Sequence, residues 1–145
     1  MNYRFIDEVV AFEAGATARL EVAKCFPVES DALSGPLGPD RVPSSLILEL
    51  MATTGGHLIV RCLARPRLPL LVVVRDCTFA TPARPGAMLR ASAWLALADA
   101  ADALDAMVEL RAEVRDGDRA IAAAQLRYLC VALPEDHPAR ALVRR

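Results

Sequence analysis

An α+β domain, one long helix wrapped by a curved antiparallel sheet, follows from three features of this 145-residue chain. A single long apolar segment between a Pro/Gly-rich loop and "ARPRLP" has helical character, and no second segment resembles it. The stretches after it read as strand upon strand separated by turn signals. The composition, 54% hydrophobic and 24% charged, demands extensive burial and excludes a disordered protein. So apolar a chain of this size also suggests surface hidden in an oligomer interface.

The elements follow in order. "NYRFIDEVVAFEAG" reads as a short strand or lead-in that turns at Glu13, Ala14 and Gly15, and a strand is expected over residues 17 to 26. "PVESDALSGPLGPDRV" holds three prolines and two glycines and is loop. Pro43 suits a first helical turn, so the helix is expected from there to about Leu63. It carries Leu46, Ile47, Leu48, Leu50, Met51, Leu58, Ile59 and Val60, which leave no ordinary solvent face and call for enclosure on most sides. "LPLLVVVRDCTFA" is β-branched and apolar, "TPARPG" is a turn, "AMLRASAWLALA" is a strand and "DAADAL" breaks it. "DAMVELRAEVR" alternates, "DGD" is a hairpin signal, and "RAIAAAQLRYLCVAL" closes the set. Residues 1–133 are expected to be one domain and 134–145 a polar tail.

Several function classes are disfavoured. The formal charge of −1 supplies no basic footprint for nucleic acid and no polybasic membrane patch. No apolar run reaches the ~18 residues of a bilayer span. The N-terminus lacks the basic-then-apolar order of a signal peptide, so the expected location is cytoplasmic. Cys25, Cys62, Cys77 and Cys130 have neither C-x-x-C nor metal-ligand spacing and read as buried free thiols; neither metal nor cofactor is expected.

Within the helix, Ser45, Glu49, Thr53 and His57 recur every four residues, a slowly winding polar line on an apolar rod. Small hydroxyls on such a rod ordinarily bond to carbonyls one turn back. Glu49 is different, because an unpaired buried carboxylate is costly. It is either a functional carboxyl at a substrate cleft or half of a pair with Arg41, Arg75 or Arg84. His57 reads as a helix-end or interface histidine and His137 as a surface histidine of the tail.

A helix wrapped in this way is the hotdog fold, and here the motifs resemble a family. The glycine-containing loop, the helix start Val42-Pro43-Ser44-Ser45-Leu46, and Glu49 six residues after Pro43 are similar to 3-hydroxyacyl-acyl-carrier-protein dehydratases of the FabA/FabZ type. So are the turn Pro82-Ala83-Arg84-Pro85-Gly86 before a strand with Leu89-Arg90, and the closing hairpin; the likeness spans about residues 1 to 133. It implies a homodimer with sites at its interface, an acyl-carrier-protein or CoA thioester as ligand, and Glu49 as catalytic acid. It further implies substrate contacts from Gly35, Pro36, Leu37 and Gly38 of the partner's loop and from Ser44, Ser45 and Thr53, and the apolar pattern adds Leu46 and Leu50. Phe79 and Trp94 are further expected neighbours of the cleft.

One departure is decisive for the chemistry. The family's loop histidine follows a glycine, and here Gly35 is followed by Pro36, with no histidine in residues 30 to 45. Dehydration needs a base, an acid and donors for the developing oxyanion, and the base is missing. The resemblance therefore implies a degenerate dehydratase in fatty acid or polyketide synthesis, weak as a homodimer or paired with an intact dehydratase. Two alternatives stand beside it. Glu49 with Thr53 one turn later also resembles a branch of hotdog thioesterases that needs no histidine, and a non-catalytic scaffold would hold an acyl chain in the same cleft.

Overall fold

The computed structural model describes residues 5–30, 33, 40–63, 67–96 and 107–138. Strands β1 (Glu8–Glu13) and β2 (Thr17–Cys25) precede helix α1 (Ser44–Cys62), and β3 (Arg67–Phe79), β4 (Met88–Ala96), β5 (Met107–Asp116) and β6 (Arg119–Ala132) follow it. All six strands form one antiparallel sheet in the order β1-β2-β4-β5-β6-β3. The helix touches β2, β3, β4, β5 and β6, so the sheet curls round it as the sequence suggests. The expected loop stretch Gly35 to Gly38 and the expected break at 99–104 lie outside the described residues.

Period-two alternation builds the sheet's inner face. Leu20 and Val22 of β2, Leu89 and Leu95 of β4, Val108 and Val114 of β5, and Leu126 of β6 are all buried, while Arg90, Arg111 and Gln125 point outward and are exposed. Ala91, Ala93, Ala112 and Ala124 are buried among them, and these small side chains leave room for the helix to settle onto the sheet. Gly117 adopts φ 59° in the two-residue hairpin between paired Asp116 and Arg119, a conformation that glycine takes without penalty.

The helix is not enclosed as its composition suggests. Ile47, Leu50, Met51, Thr54, Gly55, Leu58 and Ile59 are buried, a stripe at three- and four-residue intervals, but Ser44, Ser45, Glu49, His57 and Arg61 are exposed. Leu46, Leu48 and Val60 are only half-buried, because the sheet covers one side of the rod and leaves the other open. Pro43 sits at the N-cap rather than in the first turn, and its carbonyl accepts from the N–H of Leu46 and Ile47. Among the described residues no helix is long and apolar enough to cross a membrane.

The outer strand β3 differs from its neighbours. Among the described residues it pairs with β6 alone, and it exposes Leu70, Leu71, Val72, Val74 and Phe79. Its pairing is interrupted between Leu71 and Val73 and again between Arg75 and Thr78, where Asp76 takes φ 48°. A long apolar edge of this kind is a template for pairing with another chain.

Candidate functional site

A groove of about 310 Å³ opens between the uncovered face of α1 and the start of β3. The helix contributes Glu49, Ala52, Thr53, Gly56, His57 and Val60, β3 contributes Leu68, Pro69 and Leu71, and β6 contributes Tyr128. Mostly apolar walls with a few convergent polar groups are the usual make-up of a small-molecule site. The wall forms because α1 presents two parallel rows. Glu49, Thr53 and His57 form the polar row, and Ala52, Gly56 and Val60 form a row of small or branched side chains beside it.

Glu49 is exposed at the rim of this groove, so the expectation of a buried carboxylate fails. The sheet that should have covered it packs on the opposite side of the helix. Among the described residues it has no ion pair, and Arg84 bonds instead to Asp116 at 3.4 Å. Thr53 lies one turn away and is half-buried. His57, ~12 Å further along the axis, also borders a second opening of about 400 Å³ beside Phe5, Ile6, Asp7, Glu8 and Val9. Partial desolvation of the ring against the groove wall, and then the nearby Arg61 guanidinium, push the His57 imidazole below its usual pKa although its edge meets solvent.

Tyr128, which the sequence alone does not mark as a site residue, forms the floor; its hydroxyl donates to the Ala52 carbonyl at 2.6 Å. The same hydroxyl lies against the helix backbone at Gly55, where a β-carbon would meet it at 2.6 Å. Burial first, and then the charge of Glu49, raise the Tyr128 pKa well above its normal value, against the smaller opposing effect of the nearby Gly56 backbone. Its single proton is therefore committed to the helix and not available to a ligand. The signal for this floor was the Gly55-Gly56 pair in mid-helix, which helix propensity disfavours.

The other expected site residues scatter. Leu50 faces the core and is fully buried, on the side of α1 away from the groove, so it does not line it. Trp94 lies on the outer face of the sheet between Arg19, 5.8 Å from its ring, and Arg111 at 4.6 Å, because outward positions on β4 alternate with the core ones. Ser44 and Phe79 border a separate small cavity of about 90 Å³ at the helix N-terminus with Arg41 and Thr81. Ser45 is exposed one turn before Glu49, and Leu46 is half-buried against the core. Gly35, Pro36, Leu37 and Gly38 lie outside the described residues.

All four cysteines are free, but only Cys130 is buried; Cys25, Cys62 and Cys77 are half-buried, at strand and helix positions that the sheet covers incompletely. Burial raises the thiol pKa of Cys62, Cys77 and Cys130, which makes them poor nucleophiles. Among the described residues no three His, Cys, Asp or Glu side chains come together as metal ligands.

No family model matches the sequence, and no curated protein matches it. Solved structures do match the fold. A candidate thioesterase, yhdA, from Lactococcus lactis superposes with a TM-score of 0.69 at 11% identity, covering 88% of this chain and 94% of that one. The protein smu.793 from Streptococcus mutans, bound to acetyl-CoA, gives 0.64 at 11% identity over 88% and 90% of the two chains. A fluoroacetyl-CoA-specific thioesterase, FlK, in complex with fluoroacetate and CoA gives 0.63 at 15% identity over 83% and 97%. At these identities the likeness establishes the hotdog fold and no more.

Proposed function

We propose that this protein hydrolyses acyl thioesters, with Glu49 as the reacting carboxylate. The observation that carries the reading is an accessible carboxylate, unpaired among the described residues, at the mouth of an apolar groove, with Thr53 one turn behind it. Hydrolysis needs only one such group. Glu49 takes a proton from water as the water oxygen adds to the thioester carbonyl carbon. The tetrahedral oxyanion then collapses, the C–S bond breaks, and the thiolate recovers the proton from Glu49.

Dehydration asks for more, a base beside the α-carbon as well as an acid at the hydroxyl, and the histidine nearest along the helix is ~12 Å from Glu49. The yhdA and FlK structures are both named as thioesterases, which also supports hydrolysis over the FabA/FabZ-type reading. CoA and acyl-carrier-protein thioesters are the two carriers to test, since neighbours hold acetyl-CoA or CoA.

The working unit in this proposal is a homodimer joined along the exposed edge of β3. Leu71 belongs both to that edge and to the groove, so a second copy docked there would close the side on which Glu49 now meets solvent. The loop carrying Gly35, Pro36, Leu37 and Gly38 is the partner element proposed to face Glu49 and, with the helix-start amides near Ser44 and Ser45, to hold the oxyanion.

Thiol release from acyl-CoA and acyl-carrier thioesters tests the activity. Glu49→Gln should lower turnover ~10²- to 10⁴-fold. Water elimination from 3-hydroxyacyl thioesters without thiol release would favour the dehydratase, and tight binding without turnover the scaffold. Sedimentation showing a stable monomer at micromolar concentration would remove the dimer from the proposal.

A further inference from the structure

Gly55 and Gly56 stand side by side in the interior of α1, where each weakens the helix relative to alanine. The surroundings explain one of them. A β-carbon on Gly55 would meet the Tyr128 hydroxyl at 2.6 Å and the two Leu110 methyls at 3.1 and 3.2 Å, so the fold itself excludes a side chain there. Gly56 has no such excuse. A β-carbon on it would meet only Pro69 Cγ, at 3.7 Å, an ordinary contact. Its φ is not positive, so its backbone asks for no glycine. What a side chain at Gly56 would occupy is the groove, midway along the row from Ala52 to Val60 and opposite Pro69.

We infer that Gly56 sets acyl-chain selectivity, holding the groove open for a linear aliphatic chain of medium length whose thioester end lies at Glu49. This rests on the thioester reading proposed above. Seven residues of helix separate Glu49 from Gly56, a rise of ~10 Å. An extended chain advances ~1.2 Å per bond, so an acyl group must run to about eight bonds before it passes Gly56. Short acyl groups end before that point. Very long ones exceed the groove, since 310 Å³ stands at the small end of ligand cavities and Val60 lies one turn beyond Gly56. Thr53 and His57 lie along one side of this path, but the facing walls, Ala52, Leu68, Pro69 and the Tyr128 ring, are apolar and suit an aliphatic chain.

The test measures affinity for butyryl-CoA and decanoyl-CoA by calorimetry, in a Glu49→Gln background that halts turnover, with glycine, alanine or valine at position 56. The quantity read is the ratio of decanoyl to butyryl affinity. Valine should lower that ratio roughly tenfold or more, the usual discrimination for misplaced methyl groups in an apolar pocket, and alanine should lower it less. If Gly56→Val fails to fold, Gly56→Ala decides, because Pro69 leaves it room and its melting temperature should rise. An unchanged ratio, with both ligands bound, overturns the role of Gly56 and leaves thioester binding standing. Failure of the glycine protein to bind either ligand overturns the thioester reading together with this inference.

Discussion

On one face of α1, Ile47, Leu50, Met51, Leu58 and Ile59 are sealed against the sheet; on the other, Ser45, Glu49 and His57 are exposed along the row that half-buried Thr53 completes. On the covered face even the residues that look wrong have a packing reason. Thr54 is buried with its hydroxyl bonded to the Leu50 carbonyl at 2.7 Å, and Gly55 yields to Tyr128 and Leu110. On the open face a carboxylate without an ion pair among the described residues and a glycine without a steric excuse stand together, and packing explains neither. Residues whose cost the fold does not repay are where a ligand is to be sought.

Substitutions should separate the two faces sharply. Leu50→Ala, on the covered face, should cost ~2–5 kcal/mol of stability, because the lost side chain leaves a cavity that the curled sheet cannot fill. Glu49→Gln, one residue earlier, should stay within ~0.5 kcal/mol of the parent in the same denaturant titration, as an exposed side chain does. A large loss in Glu49→Gln would place that residue in the fold rather than in the site.

The paired glycines sharpen the contrast, since the same substitution should change sign between neighbours. Gly55→Ala should destabilise by ~1–3 kcal/mol through collision with the Tyr128 hydroxyl, while Gly56→Ala should stabilise by ~0.4–1 kcal/mol. Tyr128→Phe removes the colliding oxygen, so it should recover part of the Gly55→Ala loss; strictly additive effects in the double mutant would contradict the contact.

The smallest effect concerns His57 on the open face. Its imidazole titrates below 6.5 in the folded chain, so the unfolded chain binds the proton more readily. Stability should therefore be full above about pH 6.5 and fall as the pH drops through the folded value, and His57→Gln should flatten that slope in melts between pH 7 and 5. The effect is modest because the side chain is exposed.

Much of the scaffold is local and was legible in the chain. The alternation in "MVELRAEVR", the "DGD" turn where Gly117 takes φ 59°, and the helix that begins after Pro43 are set by periods of two and 3.6 residues and by the backbone freedom of glycine and the fixed φ of proline. Those periods imply one apolar helix and a set of antiparallel strands, hence the α+β class. They do not say which side of the helix the sheet will cover. Leu46, Leu48 and Val60 made the rod look apolar all round, yet all three are only half-buried, and the line through Glu49 remains open. Leu50 and Glu49 are sequence neighbours on opposite sides of that decision. Trp94 turned outward because β4 enters the sheet in a register that points Ala93 and Leu95 inward. The floor of the groove needed Tyr128 to arrive from 76 residues away and insert its hydroxyl beside Gly55, and Pro69 to come in from an edge strand. The chain by itself determined the elements, because their periods and turns are short-range; the folded chain alone decided the site, because non-local packing chooses which face of a helix is left uncovered and what lies opposite it.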